Sequence, residues 1–273
     1  MAEAASPTVR FIPVDPGDWG FLQFDRPETK NALDHESVLA LAATLESVPG
    51  DTRLVVFRGS GNSFISGADI AAMYRMDLPE AAAFAQAGHQ LTRAIENHPA
   101  CIGALVDGYA LGGGTEILLA CDVVVATNAA VLGLPEVRLG IIPGWGGTQR
   151  FVRAVGLHRG LRYLMSGARF DGAEAERLGL VDALVADTDA AVSWWEQFAA
   201  GLRKASPAAS ARAKRAARDG AETSIDNALM VELRYWLEQF ASEDRRAGMG
   251  SFLQKQSPPW ASPGRKEDDH ADR

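Results

Sequence analysis

Three segments of the chain carry residues that could do chemistry together. The first, Asn62-Ser63-Phe64-Ile65-Ser66-Gly67-Ala68-Asp69-Ile70, is a small-residue loop after an apolar run. The second, Asp107-Gly108-Tyr109-Ala110-Leu111-Gly112-Gly113-Gly114-Thr115-Glu116, leads three glycines into an apolar helix. The third runs from Leu134 to Arg150 and holds Pro135-Glu136 and Gly144-Trp145-Gly146-Gly147. Glycines at a helix start let an anionic oxygen approach free N–H groups, and the helix dipole adds to the attraction. Glu116 falls in the first turn of that helix among apolar neighbours, and Glu136 follows a proline in an apolar loop. Buried carboxylates are expensive, and burial raises their pKa toward the range useful for moving protons at neutral pH. Each feature alone has a plainer reading. Gly112–Gly114 can be a tight turn, Glu116 a dipole-compensating acid, and Glu136 an ion-pair partner of Arg138 or Arg150.

Other chemistries have no footing. There is no Gly-x-Ser-x-Gly elbow, no Walker phosphate loop and no His-Glu-x-x-His. The histidines (His35, His89, His98, His158, His270) are scattered, which argues against a metal cluster. Gly144-Trp145-Gly146-Gly147 resembles a dinucleotide loop only superficially, because its third glycine is out of register. Cys101 and Cys121 read as inert thiols in apolar surroundings.

The positioning elements follow from the pattern of apolar residues. Val9–Val14 and Gly20–Phe24 read as strands joined by a turn at Asp15–Asp18. Leu33–Val48 reads as a helix capped by Asp34, with Leu33 and Val38 as a hydrophobic staple and Val38, Leu41, Ala42 and Leu45 as its stripe. Leu54–Phe57, Cys101–Val106 and Val123–Ala126 read as buried strands, Gly59–Gly67 as a loop, and Pro79–Asn97 and Thr115–Ala120 as helices. This alternation predicts an α/β core with parallel pairing. Beyond about Arg150 the chain becomes helical, with Gly156 and Gly179 as helix stops. Two amphipathic helices follow, one with Val192, Trp195, Phe198 and Leu202, the other with Leu229, Leu233, Trp236, Leu237 and Phe240. Their aromatic surface exceeds what one small core covers, which predicts subunit contacts. Ser257–Arg273 reads as a loose tail.

The chain has 273 residues, a 47% apolar fraction and a formal net charge of −8. That charge argues against nucleic acid as a main partner, because neutralising phosphates needs a basic surface. No apolar run is long enough to span a membrane. The first residues, Met1 to Pro7, read as neither a secretory signal nor a transit peptide, so the expected location is cytoplasmic.

Taken together, the three segments resemble the crotonase (enoyl-CoA hydratase/isomerase) family. Arg26-Pro27-Glu28-Thr29-Lys30-Asn31-Ala32-Leu33 resembles that family's entry motif, and Glu243–Met249 followed by Phe252 resembles its C-terminal helix region. The resemblance implies an α/β spiral of ββα units over residues 1–195, a helical trimerisation region over 196–260 and a flexible tail over 261–273. It implies a homotrimer, or a hexamer built as a dimer of trimers. It assigns the Ala68 and Gly113 N–H groups to an oxyanion hole for a thioester carbonyl. Glu116 and Glu136 would hold a water between them as acid and base, with the Gly144 N–H orienting it. Ala32, Ser66, Asp69, Ile70, Met73 and Trp145 would border the substrate. The implied reaction is hydration of a 2-enoyl-CoA, as in fatty-acid β-oxidation, with no metal or redox cofactor. Both glutamates being present favours hydration over double-bond isomerisation. Where many members carry a coenzyme A-gripping lysine, this chain has Ala71. Arg26, Lys30, Arg75 and Lys255 (the last from a neighbouring subunit) are the candidates to take its place. Trp145 stands where members often have a small residue. An inward ring would shorten the acyl pocket, whereas an outward ring would pack on the helix beginning near Thr148.

Overall fold

The computed structural model describes residues 8–15 and 17–261. The N-terminal segment read for targeting, and all of the expected 261–273 tail except Ala261, lie outside the described residues. The chain divides into two compact units, Met1–Glu196 and Gln197–Arg273.

The first unit is α/β. Its strands are β1 (Val9–Asp15), β2 (Trp19–Phe24), β3 (Leu54–Gly59), β4 (Ser63–Ile65), β5 (Cys101–Val106), β6 (Tyr109–Leu111), β7 (Val123–Thr127), β8 (Val131–Gly133), β9 (Arg169–Asp171) and β10 (Ala183–Val185). One sheet has the order β1-β2-β3-β5-β7-β10 and the other β4-β6-β8-β9. Successive strands β3 and β4, β5 and β6, and β7 and β8 therefore enter alternate sheets, which is the ββα spiral expected. The β2–β3, β3–β5, β5–β7 and β7–β10 pairings are parallel, as are β4–β6 and β6–β8. The β1–β2 hairpin is antiparallel, its turn closed by the Asp18 N–H donating to the Asp15 carbonyl at 3.0 Å.

The helices of this unit are α1 (His35–Glu46), α2 (Ile70–Met73), α3 (Leu78–Asn97), α4 (Gly113–Leu118), α5 (Gly147–Val155), α6 (Leu157–Ser166), α7 (Gly172–Arg177) and the start of α8 (Thr188–Leu202). Asp34 caps α1 as expected, accepting from the Ser37 N–H, and Leu33, Val38, Leu41 and Leu45 are fully buried. α3 opens with an Asp77–Glu80 capping box and Pro79 in its first turn. Gly156 ends α5, and Gly179 takes a left-handed turn just after α7.

Three expectations need correction. The segment Gly59–Gly67 is not wholly a loop, because Ser63–Ile65 forms β4, the first strand of the second sheet. Helix α4 starts at Gly113, two residues before Thr115, so Gly113 opens the helix. Trp195 is fully buried, its six-membered ring seated where a side chain on Gly103 of β5 would clash. It therefore contributes no surface to subunit contacts. Its size is absorbed by a strand residue without a Cβ.

The second unit is helical, with α9 (Pro207–Gly220), α10 (Ile225–Phe240) and α11 (Glu243–Leu253). α9 and α10 are linked by Tyr235 Oη donating to Asp219 at 2.8 Å. The expected loose tail is anchored at its start: Trp260 packs on Gly248, and its Nε1 donates to the Lys204 carbonyl at 3.2 Å. Along α10, Leu229, Leu233, Trp236, Leu237 and Phe240 are all exposed, with Trp236 and Phe240 stacked at 4.7 Å.

Candidate active site

The site forms where the loop after β4 meets the start of α4. Its frame is the Asn31-Ala32-Leu33 segment. The buried Asn31 side chain donates to the Ser60 carbonyl at 2.9 Å and the Ser63 carbonyl at 2.7 Å, and accepts from the Arg26 N–H at 2.8 Å. The Leu33 N–H donates to the Gly67 carbonyl at 2.9 Å, and the Asp69 N–H donates to the Leu33 carbonyl at 2.8 Å. Ser66 is tied to the same seam through its N–H and the Lys30 carbonyl, 3.1 Å. In an extended chain successive N–H groups point to opposite sides. With Gly67 and Asp69 bonded toward Leu33, the Ala68 N–H faces the other way.

The three glycines of the second segment each serve a different neighbour. A side chain on Gly114 would overlap the Ile65 carbonyl, so β4 can end directly against α4. A side chain on Gly113 would overlap the Trp145 ring. A methyl on Gly112, which has a φ of +51°, would stand 2.8 Å from Glu136 Oε1. The loop itself is close by, since a methyl on Gly67 would stand 3.0 Å from the Leu111 carbonyl oxygen. The tight-turn reading of these glycines is therefore incomplete, because they are approach surfaces. Neither the Ala68 nor the Gly113 N–H has a protein acceptor among the described residues.

The two carboxylates lie in different environments. Glu116 is buried, and one oxygen accepts from the Trp145 and Gly147 N–H groups, both at 2.7 Å. Gly147 opens α5, so the carboxylate sits at that helix's positive end. Burial pushes the Glu116 pKa up, while the N–H groups of Gly147, Trp145 and Gly144 and the charge of Arg150 oppose the rise. Glu136 starts the short 3-10 turn Glu136–Leu139. Its Oε2 is buried and has no hydrogen-bond partner. Burial, with a further push from Glu116, raises its pKa to about 7. The ion-pair reading of Glu136 does not hold. Arg150 binds Glu96 at 2.7 and 3.0 Å, and Arg138 donates to the Ser166 carbonyl.

Trp145 turns inward. Its indole lies between Gly88 of α3 and Gly113, in edge-to-face contact with Phe84 at 5.2 Å, and is 3% exposed. Met73 packs against the same core, whereas Ile70 is exposed. Asp69 caps α2 by accepting from the Ala71 and Ala72 N–H groups. Among the candidate cations, Arg26 is committed to Asp34 at 2.7 Å. Lys30 is exposed, with Nζ 5.0 Å above the Tyr109 ring. Arg75 is exposed, and Lys255 belongs to the second unit. Cys101 and Cys121 are partly buried. No group of metal-binding side chains occurs among the described residues, and no helix there is long and apolar enough to cross a membrane.

Gly147, Thr92, Glu96 and Arg150 were not anticipated as site residues. Gly147 carried a signal, as the last glycine before a helix. Glu96 and Arg150 meet across 54 positions, which no local pattern reveals.

Known proteins share this arrangement of sequence and fold. Residues 20–263 match the family model described as enoyl-CoA hydratase/isomerase. The chain is 37% identical over 239 residues to a 2,3-dehydroadipyl-CoA hydratase of Escherichia coli, covering 87% of this chain and 92% of that one. It is 36% identical over 237 residues to a crotonyl-CoA hydratase of Syntrophomonas wolfei, covering 86% and 91%. A solved enoyl-CoA hydratase from Bacillus anthracis superposes with a TM-score of 0.84 at 29% identity, covering 92% of this chain and 98% of that one. With a family model matched over most of its length and relatives this similar, the chain belongs to the enoyl-CoA hydratase/isomerase family.

Proposed function

We propose that the protein hydrates 2-enoyl-CoA thioesters to 3-hydroxyacyl-CoA. The observation that carries this reading is the unlike pair of glutamates. Glu116 is held by backbone donors, and Glu136 is raised to a pKa of about 7 with an oxygen left without a partner. Two titratable groups in contrasting environments suit division into base and acid. The N–H groups around Glu116 favour its anion, so Glu116 takes a proton from water as the oxygen attacks C3. The electron pair of the double bond moves onto the thioester oxygen. The Ala68 and Gly113 N–H groups stabilise that enolate, each worth about 2.7–4 kcal/mol. Glu136 then delivers its proton to C2, and proton exchange with solvent resets both carboxyls. The thioester acidifies C2, so this chemistry requires no metal or redox cofactor.

Ala32, Ser66, Asp69, Ile70, Met73 and Trp145 remain the proposed surroundings of the substrate, and the Gly144 N–H the proposed donor that orients the water. For coenzyme A, exposed Lys30 and Arg75 are better placed than Arg26, which is held by Asp34. The test is the ultraviolet absorbance of enoyl-CoA thioesters from about four to about sixteen carbons, since hydration removes the conjugated chromophore. Conversion of 3-enoyl to 2-enoyl thioesters without hydration would instead make the protein an isomerase.

We also propose a trimer, or a hexamer as a dimer of trimers. The support is the exposed apolar face of α10, including Trp236 at 55% and Leu237 at 53% exposure. Light scattering at micromolar concentration should give the mass of three or six chains. A monomer would refute the assembly and remove the case for Lys255 reaching a neighbour's site.

A further inference from the structure

Arg150 touches neither catalytic glutamate by hydrogen bond, yet its contacts converge on the loop that holds Glu116. Its Nε and one terminal nitrogen form a fork on both Glu96 oxygens, at 2.7 and 3.0 Å. Its remaining nitrogen, Nη1, donates to the Trp145 carbonyl at 2.9 Å. Thr92 Oγ1, from the same helix as Glu96, lies 3.4 Å from that carbonyl and shares its one proton with the His89 carbonyl at 3.1 Å. The carbonyl belongs to the peptide between Trp145 and Gly146. On either side of it lie the two peptides whose N–H groups, those of Trp145 and Gly147, bind Glu116. The guanidinium lies so close to Gly146, whose φ is +105°, that a side chain there would overlap Nη1. The loop therefore presents two N–H groups to one side and a carbonyl to the other, and Arg150 grips the carbonyl.

We propose that Arg150, braced by Glu96 of α3, is the positioning residue for Glu116: it fixes the Trp145–Gly147 backbone so that both N–H groups face the carboxylate. The pair is mostly buried, with side-chain exposures of 19% and 17%, so solvent screens it weakly. A planar fork fits this task, since one guanidinium must hold a carboxylate and a carbonyl at fixed angles. The charges bearing on Glu116 are few. Arg150 comes from α5, and Glu136 from the turn after β8. α3 contributes Glu96, already bound to Arg150, while its His89 and Arg93 are exposed.

The relevance to catalysis rests on the hydratase reading, but the contact can be tested without it. The measurement is a carbon-13 NMR titration of glutamate side-chain carboxyls, with Glu116→Gln assigning the Glu116 signal. Losing the cation and loosening the two donors both favour the neutral carboxyl. Arg150→Met should therefore move the Glu116 midpoint to higher pH, and Arg150→Lys, which keeps the charge but not the fork, should move it the same way by less. In turnover, Arg150→Met should lower kcat by up to about a hundredfold with KM little changed, as expected for a misplaced group. Arg150→Lys keeps the charge but not the fork and should recover only part of that loss. A Glu116 midpoint in Arg150→Met equal to that of the unaltered protein overturns the proposal. If that variant does not fold, an unmoved midpoint in Arg150→Lys does so. An unaltered protein without hydratase activity sinks the proposed function instead, and the midpoint still decides the role of Arg150.

Discussion

Glu116→Gln and Glu136→Gln should each lower the hydration rate by roughly 10² to 10⁴ while coenzyme A affinity stays nearly constant. Glutamine keeps the shape and an acceptor oxygen, so the Trp145 and Gly147 N–H groups still find a partner at position 116. The loss is therefore one of proton transfer, and steady-state kinetics beside a coenzyme A binding titration separates the two effects. The pH profile gives the sign. The Glu136 carboxyl, raised to about 7 by burial and by Glu116, carries its proton below that pH and loses it above. If Glu136 is the acid, kcat/KM of the unaltered protein falls as pH rises through about 7. Near-normal hydration by either variant would remove that glutamate from the mechanism. A need for Glu136 alone, with 3-enoyl thioesters converted to 2-enoyl ones, would favour isomerisation.

The second large effect belongs to Trp145→Ala. The ring fills the space between Gly88 and Gly113 and packs on Phe84. Two glycines leave room for it, and nothing in that gap can collapse far to fill a void. Removing a buried tryptophan side chain should cost about 3–5 kcal/mol, read from denaturant midpoints at constant m-value. The cavity would open directly beside the Gly113 N–H proposed to hold the thioester oxygen. Activity should then shift toward longer acyl chains. The readout is the ratio of kcat/KM for a four-carbon and a ten-carbon enoyl-CoA in both proteins. The backbone donors to Glu116 survive the substitution, so activity on the short substrate should fall less than activity on the long one rises. An unchanged ratio, even with the stability loss, would show that Trp145 is a core residue and does not limit the acyl chain.

Long elements with a strong local signature were legible in the sequence. The Asp34 cap and the Val38, Leu41, Leu45 stripe specify α1 to within two residues at each end, and β5 coincides with its apolar run. The second sheet was not legible. β4, β6, β8 and β9 have three residues each, too few for a period to register, and glycine or polar residues flank them. Their pairing, not their composition, makes them strands. The site was half visible. Two acids beside glycines in apolar segments signal buried carboxylates. The resemblance then connected positions that the chain separates by twenty residues or more. Contacts set by packing left no local trace, as with Trp195 on Gly103, Arg150 on Glu96, and Arg26 on Asp34. The inward turn of Trp145 is of the same kind, because Gly88 lies on a helix whose own stripe does not announce a cleft.

Turnover of a 2-enoyl-CoA in deuterium oxide tests the central claim most directly, since water is the proposed co-substrate and Glu136 the proposed proton donor. Proton NMR and mass spectrometry of the product should show a 3-hydroxyacyl-CoA with one carbon-bound deuterium, at C2, formed by the unaltered protein and severely reduced in both glutamine variants. Recovery of unchanged 2-enoyl-CoA, or of a non-hydroxylated 3-enoyl isomer with deuterium at C2, would contradict the account.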